Sequence, residues 1–458
     1  MNGPDGPSRR ARSAPRGRLR GGSVRRMDTP SRPAAVHLDD LADPRFPPEA
    51  AAIIEATTPL GTTIDLDPAT LCTQATAEAG SENFGEPSFR ERLQVLVDAL
   101  ESEAGLSGMG RVTTSVQLVQ LLKNRLLLEE LLARHPEIRE ERIERPIIIA
   151  GLPRTGTTHL HNLLAADPAL RSLPYWESLE PFPTPEDAVA VAAGSPDPRL
   201  ARAEAGTAFL ELALPYFKRM HEMTPDHVHE EIQLLAMNFS SMLFETTAPM
   251  PSWRDHYLAH DQTPHYEYLR TVLQALQFLR PARPPGEEDR PVRWVLKSPQ
   301  HLEQFQVIEQ VFPDATVLVT HRDPASVTVS MATMIAYTAR LHLERVDPVA
   351  IGRYWADRLV RMLRACVEQR DVLARDRSLD VRFDQFMADD LGTIERIYAV
   401  ADQPLDDRAR AAHQRYLASH QRDRHGSILY DFADFALDPD ACRTATRSYT
   451  ERFGIPTE

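Results

Sequence analysis

The chain has 458 residues, 42% of them hydrophobic and 26% charged, which suits one large globular domain or a main domain with an extension. No stretch approaches ~18 uninterrupted apolar residues, so a membrane-spanning helix is excluded, and a net charge of -14 argues against bulk nucleic-acid binding. Cys72, Cys366 and Cys442 lie far apart without CxxC spacing, which argues against a disulfide framework or a cysteine-rich zinc site and fits a reducing, cytoplasmic setting.

The first 26 residues hold eight arginines against one acid, Asp5, so this segment carries +7 and the rest of the chain -21. Rich in Gly, Pro and Ser, with almost nothing to bury, residues 1–35 read as a disordered tail, part of it upstream of a translation start at Met27. The tail lacks the apolar core of a secretory signal. Residues 27–60 are Pro/Ala-rich and read as a loosely packed arm. From Asp67 to Leu132 the pattern is mostly helical, with Val116, Val119, Leu122 and Leu126 on one face and Leu118, Leu121, Leu128, Leu131 and Leu132 widening it. Residues 36–140 are therefore expected to form a helical N-terminal extension ahead of a main domain at 141–458.

Pro146-Ile-Ile-Ile-Ala150 is a short β-branched run, as a buried parallel strand requires. It leads into Gly151-Leu-Pro-Arg-Thr-Gly-Thr-Thr158 and a helix to about Ala166. Glycines at 151 and 156 permit a tight turn whose N–H groups converge on an anion at the helix start. The spacing resembles G-x-x-x-x-G-K-[ST], but Thr157 stands where the lysine belongs, and Arg154 supplies the cation instead. Residues 181–206 read as a surface excursion, 225–244 as a helical block, and 281–291, with four prolines, as a loop.

His227-Val-His229-Glu230-Glu231 opens that helical block, with Asp226 as its cap, and is expected to face an acceptor cleft. Because Gln233 stands where an H-E-x-x-H motif has its second histidine, no metal site is expected here. Strands follow at Val292–Leu296 and Ala315–Thr320, with another at Asp380–Phe383. Helical patterns recur at 349–374, 389–401 and 405–419. Alternation on this scale means an α/β protein with a central parallel sheet.

Lysine occurs only at 123, 218 and 297, so 49 of the 52 basic residues are arginine. Lys297 ends a strand, the edge where open α/β sheets bind ligands, and a compact ammonium there suits donation to a single atom. Arg322 follows the next strand, and Ser330 lies eight residues on, within reach of the same anion.

Together these segments resemble the sulfotransferases that use 3′-phosphoadenosine 5′-phosphosulfate (PAPS). Gly151–Thr158 is similar to the family's 5′-phosphosulfate loop in the arginine form of tyrosylprotein and many bacterial members. Arg322-Asp-Pro-Ala-Ser-Val-Thr-Val-Ser330 resembles its 3′-phosphate motif, Lys297-Ser-Pro its transition-state lysine, and Arg424-His-Gly426 its basic C-terminal loop. The resemblance implies a P-loop NTPase-like three-layer fold. It also implies PAPS as co-substrate without a metal, and cofactor contacts from Pro153, Arg154, Thr155, Gly156, Thr157, Thr158, Arg322, Ser330, Arg424, His425 and Gly426. The cytosolic members use a histidine two residues after the lysine, where this chain has Pro299. The tyrosylprotein-type pattern implies Glu177, in Leu173-Pro-Tyr-Trp-Glu177, as general base, with His301 second. The expected partner is a small-molecule, lipid or glycan hydroxyl acceptor, with a homodimer left open.

The chemistry follows from charge. A cofactor anionic at both ends needs two cationic pockets, one at Arg154 and the loop amides, the other at Arg322 and Ser330. Negative charge builds on the bridging oxygen as the sulfuryl group leaves, and Lys297 suits that atom. Two alternatives share the fold: an ATP-dependent small-molecule kinase, against which the missing loop lysine counts, and a non-catalytic nucleotide-binding protein, which would need neither Lys297 nor Glu177.

Overall fold

The β-branched run after Pro146 becomes the central strand of the sheet in the computed structural model, which describes residues 33–280, 293–422 and 424–458. The arginine-rich tail through residue 32 and the proline-rich loop at 281–291 lie outside the described residues. The five-stranded sheet runs in the order Leu170–Arg171, Arg293–Ser298, Ile147–Gly151, Thr316–His321, Ser378–Arg382. All of its pairings are parallel, with Ile149 opposite both Lys297 and Leu318, and Gly151 opposite Thr320. This register brings Gly151, Ser298 and His321 to one edge, where the loops that follow them meet.

Alternation along these strands builds two cores. Ile147, Ile149, Val295 and Leu318 face Leu160, Leu163 and Leu164 of the helix Thr157–Ala165, with Ile394 and Ile397 beyond. Ile148, Ala150, Leu296, Val317 and Val319 face the opposite side, in a core shared with Leu71, Leu93 and Leu122 of the N-terminal helices. Helix, sheet and helix therefore form three layers, and the extension is welded to one of them. Each fully buried isoleucine contributes roughly 1.5–3 kcal/mol.

Four local expectations are corrected. The arm is docked: it holds a helix, Pro48–Thr57, and a two-residue strand, Val36–His37, paired in parallel with Ile428–Leu429. The excursion at 181–206 is helical, because Thr184 and Asp197 cap the helices Pro185–Ala192 and Pro198–Ala213 whose first residue is proline. The block at 225–244 is broken: Val228–His229 pairs antiparallel with Leu173–Pro174, and helix begins only at Ile232. In the long helix Gly108–Arg134, Val119, Leu122 and Leu126 are buried but Val116 is 63% exposed, since the buried face at that turn runs through Thr114, Ser115 and Leu118.

Two buried histidines carry a pH dependence. Burial pushes His161 and His265 each down to about 3. Below about pH 6.5 the unfolded chain takes up two protons that the fold refuses, so stability present above that pH is lost as pH falls toward 3. The slope is on the order of 2–3 kcal/mol per pH unit. Urea unfolding at pH 7 and pH 5 is expected to show this loss, to which other buried histidines such as His342 add, and His161→Gln to remove about 2 kcal/mol of it. An unchanged difference in the variant would contradict the assignment.

Candidate active site

The loop after the central strand is held by close packing. A side chain at Gly151 would meet the Thr320 hydroxyl at 1.9 Å, so only glycine lets the two strands approach here. Thr155 donates through Oγ1 to the Leu152 carbonyl at 2.6 Å and meets the Thr320 hydroxyl at 2.7 Å, which fixes the turn from beneath. Arg154 and Gly156 take left-handed conformations, with φ of 70° and 85°. Gly156 then starts the helix Thr157–Ala165 without any side-chain cap, which leaves the first-turn N–H groups beside Pro153, Thr157 and Thr158 to meet an anion.

Arg154 reaches across to the neighbouring segment. Its Nε donates to Ser330 Oγ at 3.0 Å, its Nη2 to the Tyr430 hydroxyl at 3.3 Å, and its Nη1 to the Met220 carbonyl. Arg322 donates from Nη1 to the Arg154 carbonyl at 2.8 Å and lies 4.0 Å over the Phe383 ring, with the Glu458 carboxylate on its outer side. Asp323 caps the helix Pro324–Ala339 that carries buried Ser330. The two arginine-bearing segments, distant in sequence, are therefore joined by the Arg154–Ser330 and Arg322–Arg154 hydrogen bonds.

Lys297 stands at the same sheet edge with a side chain only 3% exposed, in an ion pair with Glu230. Its backbone N–H donates to Glu231 Oε2 at 2.8 Å, and the other Glu231 oxygen meets His301 Nε2. Burial raises the Glu231 carboxyl, but His301 and these hydrogen bonds outweigh that and hold it below the usual carboxylate range.

The sequence model of the sulfotransferase family matches residues 146–407, which takes in the loop, Lys297, Arg322 and Ser330. The chain belongs to the sulfotransferase family. Sulfotransferase STF1 from Mycobacterium tuberculosis H37Rv is 30% identical over 82% of this chain and 97% of its own, with a TM-score of 0.69. Sulfotransferase STF9 from Mycobacterium avium is 25% identical over 85% of this chain and 97% of its own, with a TM-score of 0.73. No curated protein sequence matches the chain.

In this sulfotransferase the two carboxylate and imidazole candidates for a base are engaged elsewhere. Glu177 accepts from Arg171 Nη2 at 3.1 and 3.3 Å, and that guanidinium lies 4.3 Å over Trp294, toward the opposite end of the strand from Lys297. His301 is buried with both nitrogens occupied, Nδ1 by the Tyr266 hydroxyl at 2.7 Å and Nε2 by Glu231. It braces the segment beneath Lys297. The acids brought to the lysine are Glu230 and Glu231, from the His227–Glu231 motif, whose side chains were legible but whose destination was not. Arg424 and His425 both bind Glu222, with His425 Nε2 at 3.2 Å, so the basic C-terminal loop closes beside His221 rather than standing free. His425 of that loop, His221 and the apolar side chains of Leu210, Leu214, Phe217 and Met223 line a cavity of about 130 Å³.

Proposed function

We propose that this sulfotransferase moves the sulfuryl group of PAPS to the hydroxyl of a small molecule, lipid or glycan with an apolar body. The observation that carries the reading is the Arg154–Ser330 hydrogen bond, 3.0 Å long, which makes the glycine loop and the arginine–serine segment walls of one trough. A donor with a phosphosulfate at one end and a 3′-phosphate at the other needs that pair of adjoining cradles. Pro153 and Thr155–Thr158 would hold the phosphosulfate, Arg322 and Ser330 the 3′-phosphate, and Arg424–Gly426 would close over the nucleotide.

In the proposed reaction the acceptor oxygen attacks sulfur in line while the S–O bond to the phosphate breaks. Lys297 leaves Glu230 to donate to the departing bridging oxygen. The carboxylate so released takes the acceptor's proton, which assigns the base to Glu230 rather than to Glu177 or His301. The cavity beside His221 supports an acceptor with apolar surface.

Adenosine 3′,5′-bisphosphate at about 100 times its dissociation constant is expected to raise the melting temperature by roughly 3 to 5 °C, and ATP with magnesium to leave it unchanged. Equal shifts from both would support the kinase reading instead.

A further inference from the structure

Three imidazoles meet beside this trough that the proposed transfer does not use. We propose that His221, His227 and His229 bind a divalent transition-metal ion of the class that favours imidazole, zinc foremost, through one nitrogen each. Their ligand atoms all lie within 4.8 Å of one another. The ring centroids are 5.2, 5.8 and 6.3 Å apart, and the planes cross at 79°, 64° and 77°, so the rings converge by their edges rather than stack. A tetrahedral ion bonded at 2.0–2.1 Å needs nitrogens about 3.3 Å apart, a closure that ring rotations on a fixed backbone supply.

The backbone is fixed. His229 ends the two-residue strand Val228–His229 and His227 immediately precedes it, and the two rings lie 5.8 Å apart. The strand is paired with Leu173–Pro174, and the His227 carbonyl accepts from the Tyr175 N–H at 2.8 Å. His221 arrives from the preceding turn, its N–H bonded to the Phe217 carbonyl at 2.8 Å. A buried histidine kept only for packing satisfies its nitrogens, yet His229 Nδ1 is buried with no hydrogen-bond partner.

Charge sets the affinity. Burial first, then neighbouring Lys297, drives His227 down to about 4, and burial holds His221 and His229 well below the ordinary value, so all three lone pairs are available at neutral pH. Lys297 and Arg154 repel a dication, while Glu222 near His227 and Glu230 next to His229 offset them. Three protein ligands leave a coordination position for oxygen, and His221 lines the 130 Å³ cavity from which water or an acceptor would come.

The test is binding, not transfer, so it stands or falls apart from the assignment of the donor. Untagged full-length protein, stripped with chelator, is titrated with Co²⁺ and then Zn²⁺. One equivalent of Co²⁺ with intense visible bands, displaced by Zn²⁺, is expected, and His227→Ala and His229→Ala weaken it at least tenfold. His256→Ala is expected to change nothing, although His256 and His260 form a second histidine pair with rings 4.1 Å apart. X-ray absorption at the zinc edge of the wild-type protein, which needs no variant to fold, is expected to count three imidazoles. No uptake at 100 µM metal, binding that survives both alanine variants, or fewer than three imidazoles would overturn the proposal.

Discussion

Lys297→Ala is expected to lower turnover by about 10² to 10³, the cost of removing one donor from a developing anion, while the thermal shift given by adenosine 3′,5′-bisphosphate persists. The split follows from position. Arg154, Arg322 and Ser330 would still grip the nucleotide, and only the donor to the bridging oxygen is gone. Lys297→Arg is expected not to restore the rate, because a forked guanidinium does not fit a slot that admits a single ammonium beside Glu230. The alanine variant also strands the Glu230 carboxylate, so Lys297→Met with Glu230→Gln serves as the stability control. Turnover within twofold of wild type in Lys297→Ala would remove the lysine from the mechanism.

The largest stability effect is expected at Arg358. Its guanidinium is fully buried, donating to Glu303 at 2.6 and 2.7 Å and to Glu245 at 3.0 and 3.1 Å, and Glu245 also accepts from the Tyr354 hydroxyl at 2.7 Å. Burial pushes the Glu245 carboxyl up even with Arg358 beside it. Arg358→Met leaves two carboxylates without their cation and is expected to cost about 3–5 kcal/mol in urea unfolding at neutral pH. Glu303 ends the turn Pro299–Glu303 that follows Lys297 and Ser298, so the same variant is expected to lose activity by loosening that segment. A loss below about 1 kcal/mol would show that the triad is dispensable.

What was legible in the sequence was what local chemistry dictates. Ile147–Ile149, between Pro146 and Gly151, and Val317–Val319 announced strands because short runs of branched apolar residues have few alternatives, and Gly151 and Gly156 announced a turn because glycine fits it best. Pro185 and Pro198 misled: a proline-rich stretch reads as irregular until Thr184 and Asp197 are seen as caps that make each proline a first helical residue. The partner of Lys297 was not legible at all. Glu230 arrives through the two-residue pairing of 228–229 with 173–174, a tertiary accident of strand placement with no periodicity to betray it. Likewise His221 joins His227 and His229 only because the intervening turn folds back.

The pairing of Val36–His37 with Ile428–Leu429 has a consequence for biosynthesis. His37 bonds Asp434 across 397 positions of sequence, so this clasp closes a very long loop. As the polypeptide leaves the ribosome, the helices of the extension and the sheet acquire their contacts in turn, but the clasp waits until its C-terminal half has been translated. The segment bearing Arg424 is tethered by that clasp, so in a nascent chain it is fixed only after all the strands of the central sheet have been made.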